Sequence, residues 1–362
     1  PFFQAEDGIR DRSPSRGLGD VYKRQPLYSF SQESKLPNII MMIGDGMGLS
    51  QISSGMYSNN NYTSLERSHH IGLIKTHAFD DLVTDSAASG TAMSSGVKTY
   101  NRVVGMDVNY SPVKSILEIS RDKGYITAII ATSTIVHATP ASYYSKVKSR
   151  YDYDEIASQL SKSNINFFVG GGEKYFNDRL DKRNLMNEMD DYFFANSLES
   201  FLKINSNKIG YLTDYDEPIG KHEGRKPSLE DIVQATFQKL SSFNKPFFLL
   251  VEGSQIDWGG HDNDSEHMIS EMLEFDRTVG KVFNFADKDK NTTVVITADH
   301  ETGGVSIIDG NLKDSKVVNK YVSGSHTATM VPIFSFGPYS SLFNGIYDNT
   351  EIFDKLEAII IK

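Results

Sequence analysis

Three apolar runs in this chain each end on a carboxylate. Asp45 follows Asn38–Ile43 (NIIMMI), Glu252 follows Phe247–Val251 (FFLLV), and Asp299, with His300 beside it, follows Thr293–Thr297 (TVVIT) and Ala298. One acid in such a place is ordinarily a turn or capping residue. Three of them, one paired with an imidazole, make a donor set for divalent metal. Asp257 and His261, in EGSQIDWGGHDND, stand four residues apart and share a face if the backbone turns helically there. Gly259 and Gly260 argue against a regular helix, although a tight turn would bring both side chains to one ion equally well. His326 (SGSHTATMVP) stands before a further apolar run, Val331–Phe336.

The segment Val83–Ala92 (VTDSAASGTA) offers a nucleophile. Ser86 follows Asp85 and opens a run of small residues, which suits a helix packed closely on a sheet. A serine at a helix N-terminus lies among unpaired N–H groups, where a phosphate is favoured. Asp85 or Ser86 could equally be an ordinary N-cap. Gly-x-Ser-x-Gly is absent at Ser86, so metal coordination is the expected means of activating it. Of the nine histidines, His69, His70, His77, His222 and His267 are read as surface or hydrogen-bonded residues, with His267 on a solvated helix face.

The elements that must carry these groups alternate from Pro37 onward. Ser111-Pro112 is expected to start a helix that buries Val113, Ile116 and Leu117 and closes at Gly124. Tyr125–Ala131 then forms a strand. Ser228 caps a second helix with Leu229, Ile232, Val233, Phe237 and Leu240 at helical spacing. A third helix over about 265–285 leads into TVVIT. Strand–helix–strand order with near-continuous apolar strands predicts an α/β fold: a large, mostly parallel sheet with helices on both faces. In such sheets ligands bind outside the carboxyl ends of the strands, where the acids fall. Residues 173–226 read as a less regular insertion near one rim.

The chain has 362 residues, 39% hydrophobic and 23% charged, and one domain over 37–362 is expected. A net charge of -10 argues against nucleic-acid binding. The absence of cysteine excludes disulfides, thiolate metal sites and a cysteine nucleophile. No apolar run approaches the ~18 residues that would span a bilayer. Residues 1–25 (through EDGIRDRSPSRGLGD) resemble the translation of untrimmed adapter DNA and are expected to be non-native and disordered, with a natural disordered tail as the alternative. Residues 26–36 would suit the linker after a signal peptide.

Taken in order, Gly44–Gly48 (GDGMG), Thr84–Ala88 (TDSAA), His137–Ala141 (HATPA), Val251–Gly253, Ile256-Asp257, Thr297–His300 (TADH) and Ser325–Thr327 resemble the alkaline phosphatases. The similarity runs from about Pro37 to the C-terminus, and the ordered set is far more specific than any one motif. The resemblance implies phosphate monoester hydrolysis through a phosphoserine at Ser86, with two Zn2+ and one Mg2+. It implies Asp257, His261 and His326 on the first zinc, Asp45, Asp299 and His300 on the second, and Asp45, Thr139 and Glu252 on the magnesium. Arg150 matches the family's substrate-binding arginine, whose fork can hold two phosphoryl oxygens. Asp85 would orient Arg150 or Ser86, or act as a cap. Also implied are a homodimer, and export to the periplasm or outside the cell with the signal lost from this sequence.

Two positions differ among family members. His137 stands where others carry Asp, and is expected near the third metal, directly or through water, which leaves magnesium or a softer ion such as zinc or cobalt open there. Trp258 stands where others carry Lys or His, which removes a cation near the phosphate. The span from His300 to His326 is too short for the large crown insertion of some relatives. A sulfatase would need a C/S-x-P-x-R setting, which is missing. A diesterase of the superfamily would usually carry a Thr nucleophile and lack the third-metal set. A non-catalytic binder would be expected to have lost Ser86, Arg150 or a ligand.

Overall fold

Burial and cross-strand pairing turn the apolar runs into one ten-stranded sheet. The computed structural model describes residues Leu36–Ile361. The expectations for 1–25, and for all of 26–36 except Leu36, lie outside the described residues. In chain order the strands are β1 Asn38–Gly44, β2 His70–Lys75, β3 Ile126–Thr134, β4 Phe167–Gly171, β5 Phe193–Ala195, β6 Ile209–Leu212, β7 Phe247–Gly253, β8 Thr292–Thr297, β9 Glu301–Thr302, β10 Ser306–Asn311, β11 Lys316–Lys320, β12 His326–Thr327, β13 Val331–Phe336 and β14 Gly345–Asp348. The large sheet runs β14-β2-β13-β8-β1-β7-β3-β4-β6-β5. Only β13 opposes its neighbours β2 and β8; every other pairing is parallel. β1, β7, β8 and β3 are buried along their whole length, as strands covered on both faces must be.

The register aligns the acid-bearing ends. Ile43 pairs with Glu252 on one side and with Thr297 on the other, while Ala131 of β3 pairs with Glu252. Asp45, Glu252 and Asp299 therefore leave adjacent strands at the same edge. The insertion 173–226 is more ordered than its composition suggests, because it supplies β5 and β6, the last two strands at one end of the sheet.

Three local expectations need correction. The helix placed at Ser111-Pro112 begins at Ile116, and Ser115 is its cap, in a reciprocal capping box with Glu118. Asp107 accepts from Asn109 and Ser111 N–H, and Pro112 bridges to Met106, so residues 107–113 form a turn and Val113 is only half-buried. Asp257 and His261 do lie on a helix, Gln255–His261, despite the two glycines. A Cβ on Gly259 would lie 2.4 Å from the backbone nitrogen of Met268, so glycine lets this short helix pack against the next, Ser265–Asp289. Thirdly, His267 is buried rather than solvated. It contacts Gln255 Oε1 at 3.2 Å and lies against the His222 ring, tilted by 40° with centroids 4.3 Å apart.

Candidate active site

The strand ends converge with two loops and a helix N-terminus. Asp45 follows β1, with its N–H donating to Gly253 O at 3.1 Å. Gly46 adopts a φ of +70°, and a Cβ there would meet Asp257 Cα at 2.8 Å, so glycine permits the β1 turn to approach the Asp257 helix. Asp299 Oδ1 accepts from the N–H groups of Gly46 (3.1 Å) and His300 (3.0 Å), which leaves Oδ2 facing the site. Ser86 is the first residue of the helix Ser86–Ser95. Its Oγ lies 3.5 Å from Asp45 Oδ2 and 3.3 Å from His300 Nε2.

Three clusters could each hold a cation: Asp257, His261 and His326; Asp45, Asp257 and His300; and Asp45, His137 and Glu252. In the first, His261 Nδ1 faces Gly324 O at 2.9 Å and His326 Nδ1 faces Thr84 O at 2.8 Å. A carbonyl partner fixes the proton on Nδ1 and aims the Nε2 lone pair inward, the usual outer support of a metal-binding imidazole. The two Nε2 atoms stand 3.0 Å apart, and Asp257 lies 3.3 Å and 3.5 Å from them. Acceptors so arranged need a cation or a proton between them. In the second cluster Asp257 stands with Asp45 and His300, and Asp299 Oδ2 lies 3.3 Å from His300 Nε2.

The deepest cluster gives an independent test of fit. Asp45 Oδ1, both oxygens of Glu252, Thr139 Oγ1 and Asp299 Oδ2 are buried without a hydrogen-bond partner among the described residues. Buried oxygens are rarely left so, and oxygen-loving cations in adjacent sites would satisfy them. Burial drives Asp45 well above the usual carboxylate range, with Asp299, Asp257 and Glu252 adding repulsion. Burial also lifts Glu252 to about 8, against the nearby Ser254 and Thr139 hydroxyls, and lifts Asp299 to about 6. Burial pushes Asp257 up as well, but His261, His300 and His326 outweigh it and hold this carboxylate below its ordinary value. Its hydrogen bond in turn raises His261 to about 9. The residues present thus fit a set of divalent cations, whose charge would offset what burial opposes.

One wall of the cleft is built around Arg150. Its NH1 donates to Asp85 Oδ2 at 3.2 Å and its NH2 lies 3.1 Å from His137 Nε2. Asp85 also caps the Ser86 helix, since its Oδ1 accepts from Ala88 N–H at 2.9 Å. Trp258 stands edge-on to His137 at 6.4 Å. Ser86, Asp85, Arg150, Trp258, His137, Asp257, His261 and His326 all line one open cleft of about 990 Å³.

Sequence reading missed Thr302. Its hydroxyl bonds Asp257 Oδ1 and lies 3.2 Å from His300 Nδ1, so it braces two candidate ligands at once. Its place two residues after His300 was a usable signal, because alternate residues of an extended chain share a face. His326 reaches the site because β12 pairs with β9, setting His326 opposite Thr302. His69, His70, His77, His222 and His267 belong to none of the three clusters.

A family model described as alkaline phosphatase matches residues 36–321. Among curated proteins, alkaline phosphatase 4 of Bacillus subtilis is 38% identical over 296 residues, 76% of this chain and 63% of that protein, so the match spans under two thirds of this relative. Alkaline phosphatase 3 of the same organism is 34% identical over 88% of both chains. Among solved structures, the alkaline phosphatase of the Antarctic bacterium TAB5 superposes with a TM-score of 0.86 at 39% identity, covering 90% of this chain and 99% of that one. A variant of that enzyme with one histidine replaced by aspartate holds magnesium in its M3 site. With the fold, the clustered acids and these likenesses in agreement, the chain belongs to the alkaline phosphatase family.

Proposed function

We propose that this chain hydrolyses phosphate monoesters through a phosphoserine at Ser86. The observation that carries the reading is Ser86 Oγ at a helix N-terminus, within 3.5 Å of Asp45 and His300, in the same cleft as Arg150. Arg150 would hold two non-bridging phosphoryl oxygens through its planar fork. Asp85 fixes that fork from behind. The helix N-terminus favours the negative charge brought to Ser86. The Ser86 oxygen bonds to phosphorus as the ester bond breaks and the alcohol leaves with a proton. Water then cleaves the serine ester, releasing phosphate and restoring the hydroxyl.

The cation set in this reading is two Zn2+ and one Mg2+. Asp257, His261 and His326 would hold the first zinc, and Asp45, Asp299 and His300 the second. Asp45, Thr139 and Glu252 would hold the magnesium, with His137 beside it; in TAB5 the M3 magnesium is described for variants whose histidine is replaced by aspartate or glutamate, whereas this chain has an imidazole at its third cluster, which also suits zinc or cobalt. When bound, such cations lower the pKa of an attacking hydroxyl or water and offset charge on the leaving oxygen. Trp258 supplies no cation to the phosphate, so weaker product binding is part of the proposal. Family likeness also supports a homodimer and export to the periplasm or beyond. Among the described residues no helix is long and apolar enough to cross a membrane.

Release of p-nitrophenol from its phosphate monoester, beside a bis-p-nitrophenyl diester, tests the reading. Fast monoester cleavage that chelation abolishes and Zn2+ with Mg2+ restores is the expected result. Preference for the diester, or no turnover by folded, metal-loaded protein, overturns it.

A further inference from the structure

The catalytic cleft does not end at Arg150. Tyr151 and Tyr153, just beyond it in sequence, also line a second hollow of about 520 Å³ that continues past Tyr175 to Leu180. That volume lies within the roughly 300–1,000 Å³ of small-molecule sites. Its wall is aromatic. The Tyr151 and Tyr153 rings meet edge to face at 6.4 Å, and Tyr153 and Tyr175 lie 5.0 Å apart. Tyr151 is 58% exposed, with the Arg102 guanidinium 5.9 Å from its ring centroid, so much of the ring is open to the hollow. Among the described residues Lys174 is the one lysine or arginine lining this hollow; it is engaged with Asp216 and lies 5.0 Å from the Tyr175 ring centroid, while Asp152, Asp154, Glu155 and Asp178 stand around it. The hollow is therefore poorly suited to a second phosphate and well suited to a planar uncharged ring.

Building on the monoesterase reading, we propose that this hollow is a leaving-group subsite, in which Tyr151, Tyr153 and Tyr175 stack against an aromatic group carried by the ester. A nucleobase held at ribose length and an aryl group nearer the phosphoryl oxygen both present such a π-face, and stacking of a base on an aromatic side chain is tolerant of its identity.

Two matched substrate pairs test it. Adenosine 5′-monophosphate and ribose 5-phosphate share their leaving oxygen and differ in the base; benzyl and cyclohexylmethyl phosphate differ in ring planarity. The metal-loaded full chain is expected to show a kcat/KM about tenfold higher for the aromatic member of at least one pair, and the pair that responds identifies the source of the ring. Tyr151→Ala, at an exposed position, and Tyr175→Ala are each expected to cut that ratio at least threefold. Wild-type ratios near one in both pairs, or ratios unmoved by both variants, overturn the subsite while leaving the monoesterase reading standing. Failure to hydrolyse any of the four esters overturns both.

Discussion

Asp85 divides its carboxylate between two tasks: Oδ1 caps the helix that Ser86 opens, and Oδ2 holds Arg150 at 3.2 Å. One side chain thereby couples the candidate nucleophile to the candidate phosphate clamp. Each of the two roles weighed from sequence, cap and orienting group, has its own oxygen.

Replacing Asp85 separates those tasks. Asp85→Ala is expected to lose about 1 kcal/mol of stability from the missing cap and to raise the inhibition constant for inorganic phosphate at least threefold. Asp85→Asn keeps a capping oxygen, so its melting temperature should stay near wild type while phosphate still binds more weakly. Thermal unfolding and product-inhibition kinetics measure the two effects. Equal phosphate affinity in all three proteins would remove the orienting role.

Ser86→Ala is expected to reduce turnover of p-nitrophenyl phosphate by about 10³-fold or more, since no other nucleophile replaces the hydroxyl. Metal content, read by elemental analysis, should be unchanged because Ser86 adds no charge to the ligand set. A rate close to wild type would sink the covalent route.

Glu252→Gln tests the deepest cluster. Both Glu252 oxygens are buried without partners among the described residues, so the third cation is the expected source of their stabilisation. The variant should bind Mg2+ at least tenfold more weakly and retain the other two ions. Unchanged Mg2+ titration would place that ion elsewhere.

Gly259→Ala puts a Cβ 2.4 Å from the Met268 backbone, and backbone cannot give way as a flexible side-chain tip does. Overpacking of this kind costs about 1–3 kcal/mol. Because the strain falls on the helix that carries Asp257 and His261, thermal stability and zinc retention should fall together. Calorimetry and metal analysis check it, and a variant with normal values for both would show that the two helices can part freely.

His267 gives a pH dependence away from the candidate active site. Burial holds its pKa below 6.5, with neighbouring His222 acting the same way and Glu271, Asp264 and Asp262 opposing. A histidine depressed in the folded state binds fewer protons there than in the unfolded chain. Stability is therefore full above about 6.5 and declines as pH falls below it. His267→Gln cannot titrate, so between pH 7 and 5 its melting temperature should drop about 2 °C less than that of wild type. Parallel curves would contradict this.

Much of this molecule was legible in its residues. Apolar runs such as NIIMMI and FFLLV suit inner strands buried on both faces, so they predicted a mostly parallel sheet, and the acids at their ends gather at one edge of it. Residue types likewise determined the kind of chemistry open to the chain: carboxylates, imidazoles and a serine, with no thiol. Contacts between distant segments were not legible, because spacing along a chain says little about what meets across a fold. The close approach of Met268 to Gly259 and of Thr302 to Gly260, and the burial of His267 against His222, arise only in the folded chain. The pairing of β9 with β12 brought His326 beside Thr302, and the meeting of three strand ends crowded Asp45, Glu252 and Asp299 until burial and mutual repulsion called for cations. Local sequence determined which groups were available, while the tertiary structure decided which became neighbours, because ligand geometry and desolvation arise only when segments more than 200 residues apart, such as Asp45 and Asp299, share one dry site.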